Sequence, residues 1–431
     1  MKSTQPTRSL GLFMSTSLVI GTMVGSGIYF LPSSLAPLGW NMAIGWLISG
    51  AGALCLATTF RFLLDGTGEG IQHNIERVVG EVPGFLAVWA YWASGFTSIA
   101  ALLTAGGSII AGFVDDDPPT YLGVIAAFVL LGIITTVNLV GTRSAGRLQV
   151  VSVVIKLIPL VLIIGALAWF LIGAEPTQPM APAPIEIDSI SGAVALTLFA
   201  FLGFEAASIP VNKIANPKRD IPIALMGGTS LVVVLYLLVS IGLVAIMPWQ
   251  DIAASASPVS DALGLIMGSV AGAIVAVCIL VSVTGCANGL LLIGADCTYS
   301  MALRKEVPQL FARTNAHGVP HWGVMMQAVV VSGLILANSS RGLSGMFTFL
   351  ALMTTGGVLV FYLMGVISAI KENRKVARWP VLALGVAFTA FTIYGSGLET
   401  SLWVLVLLAI GLATRWLSRR AVPEPGAPRT A

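Results

Sequence analysis

Long apolar runs separated by short polar segments dominate the chain. A run of about 20 mostly apolar residues predicts a helix crossing the ~30 Å hydrocarbon core of a bilayer, because every backbone N–H and C=O is then bonded within the segment. Twelve runs meet that requirement, at 11–37, 42–64, 84–113, 120–140, 149–172, 190–212, 221–247, 267–298, 322–337, 344–370, 380–397 and 401–417. Several exceed the minimum, which leaves room for tilt or for a break in the helix. The pattern predicts an all-α integral membrane protein with 12 transmembrane helices.

Composition agrees with that picture. Of 431 residues only 10% are charged and 56% are hydrophobic, with a mean hydropathy of +0.93. Such a chain is neither disordered, nor nucleic-acid-binding, nor an ordinary water-soluble protein. The net charge of +3 says little about partners. The placement of the cations says more, since Lys and Arg favour cytoplasmic loops. With the N-terminus placed inside, all but two of the 22 cations fall on the cytoplasmic side, including Arg61, Arg77, Arg143, Arg147, Lys213, Arg304, Lys371 and Arg415. Arg341 alone falls outside, and Lys156 lies within a span. The expectation is a multi-pass protein of the cell (inner) membrane with both termini cytoplasmic.

Other chemistry is sparse. Cys55, Cys278, Cys286 and Cys297 lie in or beside apolar runs without metal-type spacing, and His317 and His321 flank Pro320 with no Cys or carboxylate cluster near them. No metal site, cofactor fingerprint or phosphate loop is expected, and no enzyme. Trp40, Trp169, Trp249, Trp379 and Trp416 fall near run ends, where amphipathic rings anchor at the membrane interface. The first apolar run is too long for a signal-peptide core and is expected to remain in the mature protein.

Two runs carry interruptions. In the first, Gly21, Gly25, Ser26 and Gly27 sit near mid-membrane; in the sixth, Gly203 and Glu205 lie at similar depth. Gly21 and Gly25 alone suit a small-residue packing face. A Gly-Ser-Gly triplet goes further, since each helical glycine costs about 1 kcal/mol. Unwound backbone at mid-membrane is a substrate site in many transporters, and the first amides of the following half-helix attract an anion such as a carboxylate. The two interruptions lie five spans apart, in helices crossing in opposite directions. That spacing predicts a 5+5 inverted repeat: a short cytoplasmic N-terminus (1–10), a first repeat (11–172), a second (173–370), two appended helices (380–417) and a cytoplasmic tail (418–431).

These residues resemble the amino acid, polyamine and organocation transporter superfamily, and are similar to bacterial basic amino acid/polyamine antiporters over nearly the whole chain. The resemblance rests on Gly25-Ser26-Gly27 with Leu31-Pro32, on Phe201-Leu202-Gly203-Phe204-Glu205, and on Asn216-Pro217-Lys218-Arg219-Asp220. Ser257-Pro258 and Phe311-Ala312-Arg313-Thr314-Asn315 follow in family order. It implies a LeuT-type fold with broken helices 1 and 6. The Ser26 and Gly27 amides and the Ser26 hydroxyl, beside Gly25, would take the substrate carboxylate, and carbonyls around Phe199, Ala200 and Leu202, beside Gly203, its amino group. Ala93, Ser94, Ser98, Leu290 and Thr354 would line the side-chain pocket. The antiporters have tryptophans at the positions of Phe199 and Leu290 and an asparagine at that of Ser98. Losing an aromatic face at Leu290 removes a cation–π contact worth about 0.5–2 kcal/mol. The relatives' Gly-Gly-x-x-x-Tyr motif appears here as Glu69-Gly70-Ile71-Gln72-His73-Asn74, without the tyrosine.

Two intramembrane charges complete the reading, since an ionisable group in a span is costly and therefore a functional candidate. Lys156 resembles the span-5 lysine of proton-coupled amino acid permeases; it either carries the coupled proton or bridges spans 1, 5 and 8 as a fixed cation, with snorkelling to the interface as the plain alternative. Glu205 is a candidate proton carrier or pH sensor, or else a carboxylate that holds the break open. The first functional expectation is a secondary active transporter taking up a small neutral or apolar amino acid with protons by alternating access. The alternative is amino acid/amine (polyamine) exchange, and a non-transporting membrane sensor is the third. The partners expected are an amino acid or amine, protons and lipid, with no nucleic acid and with homodimerisation left open.

Overall fold

The computed structural model describes residues 11–64, 70–115, 118–140, 145–173, 179–205 and 214–420, with the side chains of 145–153 excepted. Several sequence expectations lie outside these residues. They concern the segment 1–10, Glu69, the side chains of Arg143 and Arg147, the continuation of span 6 through 206–212, Lys213, and the tail beyond Arg420.

Helices account for the secondary structure, and no β-strand occurs among the described residues. Span 1 is two helices, α1 (Leu12–Met23) and α2 (Gly27–Leu35); α3 (Trp40–Leu64) follows, then the short amphipathic α4 (Ile71–Val79). After these come α5 (Glu81–Gly112), α6 (Thr120–Val140), α7 (Ala145–Gly173) and α8 (Ile187–Phe201). The second half comprises α9 (Pro217–Ile246), the short α10 (Trp249–Ala254) and α11 (Pro258–Met267), α12 (Ser269–Leu303), α13 (His321–Asn338) and α14 (Gly342–Glu372). The chain ends in α15 (Trp379–Gly395) and α16 (Gly397–Arg420).

Ten stretches of the described residues are long and apolar enough to cross a membrane. One of them, His321–Glu372, is 52 residues long and consists of α13 and α14 joined by a 3-10 turn at Ser339–Arg341. Helix α8 is too short to be among the ten because it stops at Phe201, where the apolar run continues but the helix does not.

Small residues let the spans approach closely. A Cβ on Gly107 of α5 would lie 2.2 Å from the Gly123 carbonyl of α6, and one on Gly357 of α14 would lie 2.1 Å from the Ser94 hydroxyl of α5. Helix α5 consequently sits at the centre of the bundle, against α4, α6, α12, α13, α14 and α16. Helix α1 packs on α9 and α7, and α8 on α3, α14 and α15. The last helix is peripheral and is fastened at both ends. Arg341 reaches Glu399 at 2.6 Å beside the start of α16, while Arg415 and Arg419 near its end meet Glu81 at 3.1 and 3.0 Å.

Candidate functional site

Span 1 comes undone where the glycine triplet predicts. Helix α1 ends at Met23, the backbone of Val24 leaves helical geometry at φ −74° and ψ 85°, and α2 begins at Gly27. The Gly25 amide turns back onto the Met23 carbonyl at 2.8 Å. Beyond it the first amides of α2 have no acceptor within their own helix, as at any helix start. The Ser26 hydroxyl at that start is buried and has no hydrogen-bond partner. A buried hydroxyl left unpaired is costly, and this one leaves an unused donor at the start of α2.

The second interruption, the end of α8, is formed differently. Helix α8 stops at Phe201, Leu202 is extended, and Gly203 takes φ +99°, a conformation that strains any side-chain-bearing residue. The two breaks touch. The Thr22 hydroxyl donates to the Gly203 carbonyl at 2.9 Å, and a Cβ on Gly27 would lie 2.6 Å from that of Ala200. Gly25 differs: a Cβ there would meet only the Met23 carbonyl oxygen, 4.0 Å away, so the space beside the triplet is open.

Glu205 follows the second break and is buried. Its two carboxylate oxygens accept from the Tyr91 hydroxyl of α5 and the Tyr362 hydroxyl of α14, each at 2.8 Å. Aromatic rings close around it: Tyr362 packs on Phe60 and Phe204 with centroids 5.5 and 5.2 Å away, and Tyr91 on Phe361 at 4.9 Å. Phe199 of α8 meets Phe347 of α14 edge-on at 5.9 Å, and Phe347 meets Phe30 of α2 at 5.6 Å, so a second aromatic cluster joins α8, α14 and α2.

Lys156 does not snorkel. It is 3% exposed, and its Nζ donates to the Gly21 carbonyl at 2.9 Å and lies 2.7 Å from the Cys286 sulfur of α12. The Tyr29 hydroxyl of α2 donates to the Lys156 backbone carbonyl. The ammonium therefore joins α7, α1 and α12. It reaches the Gly21 carbonyl because the break at Met23 has removed the residues that would complete the last turn of α1.

The remaining candidates sort unevenly. Thr354 of α14 is buried and shares a 2.8 Å hydrogen bond with Thr97 of α5, and the Thr97 hydroxyl also lies 2.9 Å from the Ser94 carbonyl. Ser94 spends its own hydroxyl on the Ala90 carbonyl at 2.6 Å and packs against Gly357, so it works at the α5–α14 contact. Ala93 is buried in the same helix, Ser98 and Leu290 are half-buried, and Leu202 is half-buried at the second break. Sequence reasoning passed over Tyr91, Tyr362, Tyr236 and Thr97. A signal was present: of the 7 tyrosines in the chain, Tyr29, Tyr236 and Tyr362 are fully buried well inside their spans, away from the interface where such rings usually anchor. No cluster of three or more His, Cys, Asp or Glu residues suited to a metal ion occurs among the described residues.

Apolar spans that unwind around unpaired backbone, with an ammonium and a carboxylate at their edges, define a membrane transporter rather than an enzyme. Comparison with known proteins agrees: the amino acid permease family model matches residues 10–412, and the chain belongs to that family. It is 30% identical to the cadaverine/lysine antiporter of Escherichia coli (strain K12) over 363 residues, 81% of each chain. It is 28% identical to a putative arginine/ornithine antiporter of Bacillus subtilis (strain 168) over 445 residues, covering 93% of this chain and 94% of the relative. To the putrescine transporter PotE of Escherichia coli (strain K12) it is 26% identical over 420 residues, with the same coverage.

Proposed function

We propose that the protein exchanges an amino acid for an amine across the cell inner membrane by alternating access. One juxtaposition supports this most. The unpaired Ser26 hydroxyl and the first amides of α2 offer a carboxylate-binding end, and the buried Glu205 carboxylate with the C-terminal carbonyls of α8 offers a cation-binding end. An amino acid occupies both ends and its decarboxylated amine only the second. The relatives named for cadaverine/lysine and arginine/ornithine antiport and for putrescine transport support the same reading. The first sequence expectation, proton-coupled uptake of a small neutral amino acid inferred from Leu290, draws no such support.

In this reading the membrane contains twelve spans. Counting α13 and α14 separately, and α8 as belonging to a sixth span, brings ten stretches to twelve. The first repeat runs from α1 to α7 and the second from α8 to α14, with α15 and α16 appended and both termini cytoplasmic. The Gly25-Ser26-Gly27 amides and the Phe199, Ala200 and Leu202 carbonyls hold the substrate backbone, with Gly203 shaping the turn. Ala93, Ser94, Ser98, Leu290 and Thr354 surround its side chain. A proton step in the cycle, where it occurs, falls in this reading to Lys156 or Glu205.

Counterflow in proteoliposomes tests the proposal. Vesicles loaded with lysine, ornithine or arginine should accumulate labelled cadaverine or putrescine, and empty vesicles should not. Equal filling of loaded and empty vesicles would support uptake instead, and filling of neither, with ligand binding retained, would leave a sensor.

A further inference from the structure

The segment joining α14 to α15 carries an unbalanced charge. Residues 371–378, Lys-Glu-Asn-Arg-Lys-Val-Ala-Arg, hold four cations and one carboxylate, and that carboxylate, Glu372, meets Arg77 of α4 at 2.8 Å. Other arginines at this end of the bundle are matched: Arg304 meets Glu76 and Glu306, and Arg415 and Arg419 meet Glu81. Lys371, Arg374 and Lys375 are exposed and form no ion pair among the described residues.

These cations sit on a defined turn. The Asn373 side chain accepts from the Lys375 amide at 3.0 Å and donates to the Lys375 carbonyl at 3.1 Å, and that carbonyl also accepts from the Arg378 amide at 3.0 Å. A 3-10 turn at Val376–Arg378 follows. The Arg378 guanidinium lies 4.4 Å from the centroid of the Phe62 ring, which brings the end of α3, with its exposed Arg61, beside the segment. Two large apolar side chains stand out among the charges: Val376 is 82% exposed and Trp379, the first residue of α15, 46%.

Under the twelve-span reading this end of α14 faces the cytoplasm, where anionic headgroups attract basic segments next to a span. Charge bias alone puts cations in such a loop, but it does not call for a bare valine and tryptophan among them. Cations beside exposed apolar side chains match the boundary of a leaflet, where phosphates meet acyl chains and tryptophan anchors. We propose that Arg61, Lys371, Arg374 and Lys375, around Val376 and Trp379, form a docking site for the headgroup of an anionic phospholipid such as phosphatidylglycerol or cardiolipin. The cations take the phosphate, and Val376 and Trp379 rest on the acyl-glycerol region. The proposal needs only that α14 and α15 span a membrane and is independent of what is transported. Helix α14 also carries Tyr362, which donates to Glu205 at 2.8 Å, so a headgroup held here gives the leaflet a hold on a helix that reaches the buried acid.

Thermal unfolding of the purified full-length protein, in detergent micelles with rising mole fractions of cardiolipin, phosphatidylglycerol or phosphatidylcholine, tests the proposal. The two anionic lipids should raise the unfolding temperature saturably and phosphatidylcholine should not, because a ligand stabilises the state it binds. Each cation at a charged leaflet is worth about fivefold in affinity. The double variant Arg374→Gln/Lys375→Gln should therefore need roughly thirtyfold more anionic lipid for half the effect, and Lys375→Gln alone about fivefold more. Lys305→Gln/Arg313→Gln removes the same charge from exposed positions between α12 and α13 and should stay within about twofold of wild type, the screened effect of charge lost elsewhere. Equal stabilisation by phosphatidylcholine, no stabilisation of wild type by any lipid, or equal loss in the two double variants overturns the proposal. So does an equal rise with inorganic phosphate at matched phosphate concentration, which would make this a site for free anions.

Discussion

Gly27 and Ala200 face each other across the two breaks so closely that a methyl group on Gly27 would lie 2.6 Å from the Cβ of Ala200 and 2.7 Å from its Cα. Both residues are buried, and the atoms in the way include backbone, which cannot swing aside. The cradle is therefore closed by contact between the start of α2 and the last turn of α8, and each break needs the other to hold its shape.

That contact separates two neighbouring glycines. Gly27→Ala should push α2 and α8 apart, costing the 1–3 kcal/mol typical of overpacking and lowering the transport rate at least about tenfold. Gly25→Ala meets only open space and should assemble with unchanged thermal stability, while its methyl group intrudes where the carboxylate is expected. Thermal unfolding in detergent and uptake into liposomes, measured on both variants, check the pair of outcomes.

Lys156 yields a prediction about driving force. Its Nζ bonds the Gly21 carbonyl, and Lys156→Ala leaves that buried carbonyl unpaired at a cost of about 1–3 kcal/mol. If the ammonium takes part in proton movement, the variant in liposomes loses all stimulation by an inward proton gradient while substrate counterflow persists. Undiminished stimulation would assign Lys156 to bridging α7, α1 and α12 as a fixed cation.

What the sequence discloses and what it conceals divide along physical lines. The interruption at Gly25-Ser26-Gly27 was legible because the helix cost of glycine is local and needs no knowledge of neighbours. The ten long apolar stretches were legible for the same reason, since a span is defined by its own length and composition. The fate of Lys156 was not. Whether a lysine snorkels or turns inward depends on helix rotation, and its acceptor at Gly21 exists only because a different span has unwound. Tyr91 and Tyr362 were invisible as partners of Glu205, lying 114 and 157 residues away in sequence. The bond from the Ser94 hydroxyl to the Ala90 carbonyl was not legible either, since residue type allows such a local bond without requiring it.

Glu205 and its two tyrosines predict a pH effect that can be isolated. The carboxylate accepts one hydroxyl on each oxygen, and the amide of Glu205→Gln retains only one acceptor oxygen, so one tyrosine is left facing an N–H group. Exchange measured between pH 5 and 8 should lose its pH dependence in Glu205→Gln if this acid governs it, with a stability loss of about 1–3 kcal/mol from the unpaired hydroxyl. Tyr91→Phe and Tyr362→Phe each remove one donor and should cost about 1 kcal/mol in stability while the pH dependence remains. A Glu205→Gln profile matching wild type would return Glu205 to a purely structural role.

The loop after α12 offers a test outside the spans. Glu306 is buried at the end of that helix; loss of hydration holds its carboxyl above the usual carboxylate range, against the opposing pull of Arg304, whose guanidinium lies 3.2 Å away. Arg304 also faces Glu76 of α4 at 3.6 Å, which adds a second negative charge, while Arg415 and Arg419 of α16 add positive field. A carboxyl that holds its proton more tightly when folded contributes stability below its unfolded value and loses it as pH rises through the folded value. Glu306 therefore favours the folded state in acid and opposes it at neutral pH. Glu306→Gln should match or exceed wild-type thermal stability at pH 7 by about 1 kcal/mol or less, because Arg304 keeps Glu76 as a partner, and that relative advantage should shrink as pH falls towards 4. Unfolding temperatures measured across this range check the sign: a variant less stable than wild type at pH 7 would mean that the Arg304 pair outweighs the cost of burying the charge.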